Sequence, residues 1–150
     1  MTVTFFGHRR TPDSVKPLLK ETLRELIEKD RADMFYVGNE GSFDWMVYDT
    51  LKELKTEYPF ISYKVVLAYL EKRKKDIKNF IPSETIFPEE LTKTPLRFAI
   101  VKRNNIMLRY ADTVVTYVEG SGGAADFKRL AEDRGKRVIN LYKRKSVFPV

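Results

Sequence analysis

Three glycine-bearing segments of the sequence combine residue types that bind phosphate and sugar groups. Their members are Gly7, His8, Arg9 and Arg10; then Gly38, Asn39, Glu40, Gly41 and Asp44; then Gly120, Ser121, Gly122, Gly123 and Ala124. A glycine-rich turn that enters a helix exposes backbone N–H groups beside the positive end of the helix dipole, which suits a phosphate. Arginine donors match phosphate oxygens, whereas a carboxylate such as Glu40 suits a ribose hydroxyl. The three segments together predict a site for a phosphorylated ligand.

Each of these residues also has an ordinary structural interpretation. His8 is the one histidine of the chain and could cap or brace a turn, while Arg9 and Arg10 could be solvated. Asp44 could simply favour the N-terminus of its helix. The sequence lacks G-x-G-x-x-G after the first strand and lacks G-x-x-x-x-G-K-[ST], so neither the usual dinucleotide fingerprint nor ATP hydrolysis of the P-loop kind is supported.

Composition limits the class of protein. The chain has 150 residues, 43% of them hydrophobic, which predicts one folded domain over residues 1–150. No apolar run approaches the roughly 20 residues of a membrane helix. The absence of cysteine excludes disulfides and thiolate metal sites and fits a cytoplasmic protein. The net charge of +7 attracts single phosphates as well as polyanions.

Hydrophobic periodicity alternates between strand and helix along the chain. Strands are predicted at residues 3–6, 34–37, 63–69, 113–118 and 137–141, with a short one around 85–87. Two helices have apolar faces that run from Val15 to Ile27, with Ser14 as the expected cap, and from Phe43 to Leu54. Two more are expected at 98–110 and 123–134, and an irregular insertion at about 71–95.

This alternation predicts an α/β, Rossmann-like fold, with a mostly parallel sheet of about five or six strands and helices on both faces. In such sheets ligands bind beyond the carboxyl ends of the strands, near the point where the strand order reverses. All three glycine-bearing segments follow predicted strands. We therefore expect them to meet at one edge of the sheet.

Four longer stretches resemble the SLOG superfamily, whose Rossmann-like members include the DNA-processing protein Smf/DprA and the Lonely-guy phosphoribohydrolases. The stretches are TFFGHRR, VGNEGSFD, PLRFAIVKRNNIML and GSGGAADFKRLAEDRGKRVINL. The chain is most similar to a small stand-alone branch with a GHR motif, found in bacteria and their phages. The resemblance spans nearly the whole chain, with its weakest fit at 71–95. It implies a nucleotide or nucleotide-derived ligand at the glycine-rich loops.

The resemblance also bears on catalysis. Lonely-guy enzymes pair an arginine in R-K-x-x-M with a glutamate that closes P-G-G-x-G-T-x-x-E. Arg103 and Met107 match the first motif, with Asn104 in place of the lysine, but the glutamate position falls on Lys128. An ammonium group would repel the positive charge that develops on the sugar during N-glycosidic cleavage. This favours Arg103 and Lys128 as ligand-binding residues, and no catalytic residue, metal or cofactor is expected.

The sequence thus predicts a protein that binds a nucleotide or nucleotide-derived signalling molecule, including ADP-ribose-like molecules. It would act as a sensor or a sequestering protein, and the phage-encoded relatives suggest sequestration of a defence signal. Nucleotide N-glycosidic hydrolysis is one alternative, for which Glu40 and Asp44 are the nearby carboxylates. Single-stranded nucleic-acid binding is another, less favoured one, for which Lys72 to Lys78 with Phe80 offer basic and aromatic residues. The apolar SVFPV stretch and the SLOG relatives favour a homo-oligomer.

Overall fold

A parallel six-stranded sheet forms the centre of the protein. The structure is a computed structural model that describes residues 1–70 and 82–142. Its strands are β1 (Thr2–Gly7), β2 (Met34–Val37), β3 (Ser62–Val66), β4 (Thr85–Ile86), β5 (Thr113–Tyr117) and β6 (Arg137–Asn140). They lie in the order β4-β3-β2-β1-β5-β6, and every pairing is parallel. The predicted α/β, Rossmann-like fold is confirmed.

Within residues 1–70 and 82–142, four helices cover the two faces of the sheet. They are α1 (Lys16–Asp30), α2 (Ser42–Glu57), α3 (Ala99–Tyr110) and α4 (Gly123–Asp133). Buried side chains of α1 and α2, such as Leu19 and Leu51, form one core with one face of the sheet, and Met107 of α3 and Phe127 of α4 form a second core. None of the helices in the described ranges is long and apolar enough to cross a membrane.

The central strand β1 contributes buried apolar side chains to both cores. Val3 and Phe5 belong to the core under α1 and α2, whereas Phe6 belongs to the core under α3 and α4. The Phe6 ring stacks on Phe127 of α4 with 5.1 Å between ring centroids. β1 lies between β2 and β5, so the strand order reverses beside it. This is where a ligand site is expected in an open parallel sheet.

Some element boundaries differ from the predicted ones. Ser14 is not the cap of α1, because it lies inside a short 3₁₀ turn at Asp13–Val15 and no side chain caps the helix. β3 ends at Val66 rather than at residue 69, although the next two residues stay buried. Of the predicted irregular insertion, residues 82–95 contain β4 and short 3₁₀ turns. Residues 71–81 and the SVFPV stretch lie outside the described residues.

Candidate functional site

The carboxyl ends of β1 and β2 and the N-terminus of α4 surround a cavity of about 310 Å³. Gly7 ends β1 and pairs with Tyr117, the last residue of β5, so the segments that follow these two strands start side by side. We call residues 7–10 loop 1, residues 38–41 loop 2 and residues 119–122 the glycine loop. The wall of the cavity also includes α3, through Arg103 and its neighbours. The expected meeting of the three segments at one sheet edge is therefore observed.

Loops 1 and 2 are held together by backbone contacts. The Ser42 N–H donates to the Arg9 carbonyl oxygen at 2.8 Å, and the Thr11 N–H donates to Ser42 Oγ at 2.7 Å. Gly41 has φ of +102°, and a Cβ at this position would lie 2.6 Å from the Arg9 Cα. Only glycine allows this close approach, so Gly41 fixes the position of Arg9 at the cavity.

Arg103 is the largest fully buried side chain and forms part of the cavity wall. Its Nη1 donates to Asn39 Oδ1 at 3.1 Å and to the Val66 carbonyl at 2.9 Å, while its Nε donates to Asn104 Oδ1 at 2.8 Å. A Cβ on Gly38 would come within 3.0 Å of the Arg103 guanidinium. Arg103 thus connects α3 to loop 2 and places a positive charge at the bottom of the site.

Asp44 lies at the start of α2 and is also buried. Its Oδ2 accepts the Glu40 N–H at 2.8 Å. Burial raises the pKa of Asp44 to about 6, while the positive charge of Arg103 acts in the opposite direction. The site therefore contains a carboxyl group that changes charge close to neutral pH.

Glu40 and Arg9 bring opposite charges to the mouth of the cavity. Arg9 Nη2 lies 3.6 Å from Glu40 Oε2, and the Arg9 side chain is 69% exposed whereas that of Glu40 is only 8% exposed. Because most of the Arg9 side chain is in solvent, its guanidinium can reach toward a ligand that enters the cavity. Glu40 offers an acceptor inside the cavity.

The glycine loop leads into α4 with little side-chain cover. Gly120 and Gly122 have φ of +77° and +123°, and a Cβ at Gly120, Gly122 or Gly123 would meet no atom within 4 Å. The first N–H groups of α4 have no acceptor within their own helix. Gly123 and Ala124 line the cavity, so this helix end faces the space that a ligand would fill.

His8 connects loop 1 to the glycine loop. Its Nε2 accepts the backbone N–H of Glu119 at 2.8 Å, and its ring meets the edge of Tyr117. The same side chain lines the cavity. His8 therefore connects two loops and also lines the cavity, so its structural interpretation and its place in the predicted site are compatible.

Half of the sequence-predicted site residues line the cavity, namely Gly7, His8, Arg9, Glu40, Asp44, Arg103, Gly123 and Ala124. The others lie outside its wall, namely Arg10, Gly38, Asn39, Gly41, Gly120, Ser121, Gly122 and Lys128. Arg10 is exposed, and Lys128 pairs with Glu132 on its own helix at 3.1 Å. Asn39 and Gly38 act behind the wall, through Arg103.

Sequence reasoning missed the apolar part of the wall. Phe5, Phe6, Ile100, Asn104 and Met107 complete it. The signal was present on α3, because residues 100, 103, 104 and 107 follow the i, i+3, i+4, i+7 spacing of one helix face. Within residues 1–70 and 82–142, no group of three His, Cys, Asp or Glu side chains could hold a metal ion.

Comparison with known proteins shows a similarity of fold. No protein-family profile matches the chain. No curated protein matches it either. A solved structure of DNA processing protein A from Helicobacter pylori, described in terms of its single-stranded DNA binding mode, superposes with a TM-score of 0.63 at 16% sequence identity. The match covers 92% of this chain and 63% of that protein, so this chain spans less than two thirds of its length. At this identity the likeness extends to the fold alone, and membership of the GHR-motif branch of the SLOG superfamily stays a prediction from the sequence.

Proposed function

We propose that the cavity binds a nucleotide or a nucleotide-derived molecule, including ADP-ribose-like molecules, and that the protein acts as a sensor or a sequestering protein. The observation that carries this proposal is the presence of backbone N–H donors and carboxylate acceptors in the wall of one cavity. The α4 N-terminus at Gly123 and Ala124 offers N–H donors, and Glu40 and Asp44 offer acceptors on another part of the wall. A phosphate fits the first end and sugar or base donors fit the second.

The size of the cavity agrees with a ligand of this kind. About 310 Å³ is at the lower end of the range for small-molecule sites, and it is partly lined by the apolar side chains of Phe5, Phe6 and Met107. An apolar wall suits a planar base, whereas Arg9 at the mouth can close over a phosphate. Arg9, whose side chain is 69% exposed, can supply a charge-assisted hydrogen bond to a phosphate beside its 3.6 Å pair with the buried Glu40.

Gly123→Glu is the sharpest test of the phosphate end. Gly123 is the first residue of α4, and an added side chain meets no atom within 4 Å, so the fold tolerates it. A glutamate at a helix N-terminus stabilises the helix but repels a phosphate placed there. We expect AMP and ADP-ribose to bind at least about tenfold more weakly by calorimetry, a loss of about 1.4 kcal/mol.

Gly123→Gln is the matched control, because it has the same shape without the charge. We expect it to bind within about threefold of the unmodified protein, since only the charge differs. Equal affinity of the glutamate and glutamine variants would contradict the phosphate assignment. If the unmodified protein releases free base from AMP, NAD or ADP-ribose, and Glu40→Gln or Asp44→Asn does not, the function is hydrolysis rather than binding.

Single-stranded nucleic-acid binding is a second candidate, supported by the DNA-binding structural neighbour and by the outer face of α3. Phe98 and Tyr110 are 50% and 59% exposed at the two ends of this face. Arg97 lies over the Phe98 ring at 4.8 Å and Arg109 beside the Tyr110 ring at 5.7 Å. Exposed rings next to arginines can stack with successive bases. The segment from Lys72 to Phe80 lies outside the described residues.

The test is binding of a labelled oligothymidine by fluorescence anisotropy. Phe98→Ala combined with Tyr110→Ala should weaken binding about tenfold or more, because each stacked base contributes about 1–3 kcal/mol. Phe60→Ala is the control, since Phe60 is 63% exposed but precedes β3, near the amino ends of the strands. If all variants bind equally, the α3 face takes no part in nucleic-acid binding.

A further inference from the structure

We infer that His8 is the positioning residue of the site. Its unprotonated Nε2 holds the glycine loop in the conformation that presents the N-terminus of α4 to the ligand. The positioning role rests on the proposed nucleotide site, whereas the contact between His8 and Glu119 is present without any ligand. His8 is part of loop 1, whereas the residue that it holds, Glu119, is 111 positions away and opens the glycine loop.

One ring nitrogen of His8 lies beside both polar groups of Glu119. Nε2 is 2.8 Å from the Glu119 backbone nitrogen and 3.0 Å from the Glu119 carbonyl oxygen. The N–H can only donate and therefore needs the lone pair of Nε2, whereas the carbonyl can only accept and needs a proton there. The same atom cannot serve both at once. Because the contact with the Glu119 N–H is the shorter of the two, we assign the proton of the neutral ring to Nδ1.

Protonation of Nε2 therefore exchanges one partner for the other. The added proton removes the acceptor for the Glu119 N–H and lets Nε2 donate to the Glu119 carbonyl oxygen, which already lies 3.0 Å away. The Glu119 N–H then loses its partner in loop 1, while Asn140 Nδ2 still donates to the Val118 carbonyl of the same peptide group at 3.0 Å. Tyr142, which donates its hydroxyl to Glu119 Oε1 at 2.9 Å, holds only the side chain of that residue.

Other charged groups near His8 must be separated from it in any pH experiment. Tyr117 faces the ring, Arg10 follows in loop 1, and the groups that share the cavity or contact Glu119 are Arg9, Glu40, Asp44, Arg103 and Tyr142. Asp44 titrates in the range of an ordinary histidine, because burial raises its pKa to about 6. The second ionisation of a phosphate monoester such as AMP lies there as well.

The first measurement needs no ligand. In ¹⁵N-labelled protein at pH 7.5, the His8 imidazole nitrogens are expected to report a proton on Nδ1 and an unprotonated Nε2. The Glu119 amide signal should move together with the Nε2 signal as the pH falls from 7.5 to 5.5. A proton on Nε2 at pH 7.5, or a Glu119 amide that does not follow His8, would overturn the inference.

The second measurement compares His8→Leu with His8→Gln by AMP calorimetry. The glutamine carboxamide oxygen reaches about as far as Nε2 and can accept the Glu119 N–H, whereas leucine cannot. We expect about tenfold weaker AMP binding in His8→Leu and rescue to within about threefold in His8→Gln. All three proteins are compared at pH 7.5, above the pKa of about 6 of Asp44, so that the charge of Asp44 does not enter the comparison.

The outcomes separate this inference from the proposed function. If the unmodified protein binds no AMP but shows the Nδ1 proton and the coupled Glu119 signal, the nucleotide site fails and the His8 contact stands. If AMP binds and His8→Leu binds equally well, the site stands and the positioning role fails. If His8→Leu does not fold, as judged by its thermal transition, the imidazole signals of the unmodified protein decide.

Discussion

Asp44 is a carboxylate held inside the protein, and its ionisation should be visible in the stability of the fold. Burial raises its pKa to about 6 from an ordinary 3.8. The folded state therefore binds a proton that the unfolded state has already released between these two values. Stability contributed by the protonated group is fully present below pH 3.8 and is lost as the pH rises through 6. The pKa shift corresponds to about 3 kcal/mol in the free energy of unfolding. Relaxation of the folded structure around the charged carboxylate reduces this figure.

Urea denaturation at pH 4.5 and 7.5 measures this effect. Asp44→Asn should remove the fall in the free energy of unfolding that the unmodified protein shows between the two pH values. Asp49→Asn is the matched control, because Asp49 lies on the same helix but is exposed. An equal pH dependence in all three proteins would mean that Asp44 ionises as it does in the unfolded chain.

The kinds of residue at the site were predictable from the sequence, but their burial was not. Arg103 and Asn39 were expected to contact a ligand; they share a hydrogen bond inside the protein, and Arg103 also lines the cavity. Whether an arginine is buried depends on carbonyl and amide oxygens from other segments, here from Val66 and Asn39. Such contacts between distant segments leave no local pattern. His8 shows the same limit, since its partner Glu119 comes from another loop.

At the scale of elements, the contact between β1 and α2 depends on a single glycine. A Cβ on Gly7 would lie 2.2 Å from Cγ of the buried Phe43 ring. Gly7→Ala should therefore lower the free energy of unfolding by about 1–3 kcal/mol, because the ring must move out of a well-packed core. Chemical denaturation measures this change.

Gly123→Ala is the control for Gly7→Ala, since a Cβ at Gly123 meets no atom within 4 Å. In the first turn of α4, alanine should leave stability unchanged or raise it by about 0.5 kcal/mol. Equal destabilisation by the two alanines would show that the Phe43 contact does not limit residue 7. The two variants thus compare the same glycine-to-alanine change at a position where the added methyl group meets a side chain and at a position where it meets none.

The long periodic elements were predictable because burial on one or both faces imposes their pattern. Most helices and strands lie within one or two residues of their predicted ends. The exceptions are places where tertiary contacts override local signals. The apolar run continues past Val66, but β4 is only two residues long and pairs with β3 only at Val65 and Val66. Leu67 is still buried and donates its N–H to Ile86, so the run stays apolar beyond the strand.

At the scale of the whole molecule, alternating strands and helices were enough to predict a parallel sheet covered on both faces. That topology in turn predicted where the three glycine-bearing segments meet, because the carboxyl ends of parallel strands share one edge. The sequence did not predict the outer face of α3. Its exposed Phe98 and Val101 are apolar, as are the core residues Ile106, Met107 and Leu108 of α3. Composition alone cannot tell an apolar residue facing solvent from one facing the sheet.

The two candidate functions differ in how strongly the binding affinity of this chain, whose net charge is +7, should depend on salt. A mononucleotide in the cavity presents one phosphate group and no condensed counterions, so raising salt from 50 to 200 mM should weaken AMP binding about threefold or less. An oligonucleotide on the outer face of α3 would approach the basic residues at or beside this helix, which are Arg97, Lys102, Arg109 (now paired with Glu90), Arg134 and Lys136. About five phosphate contacts on a single strand give a loss of about a hundredfold over the same range.

We expect the shallow dependence for AMP and the steep one for an oligothymidine, measured by calorimetry and by fluorescence anisotropy in the same buffers. AMP in excess should leave the oligothymidine bound, because the cavity and the outer face of α3 are different surfaces. Displacement of the oligonucleotide by AMP would place both ligands in the cavity. Oligothymidine binding that stays tight at 200 mM salt would make nucleic acid the main ligand, since stacking and enclosure would then outweigh charge.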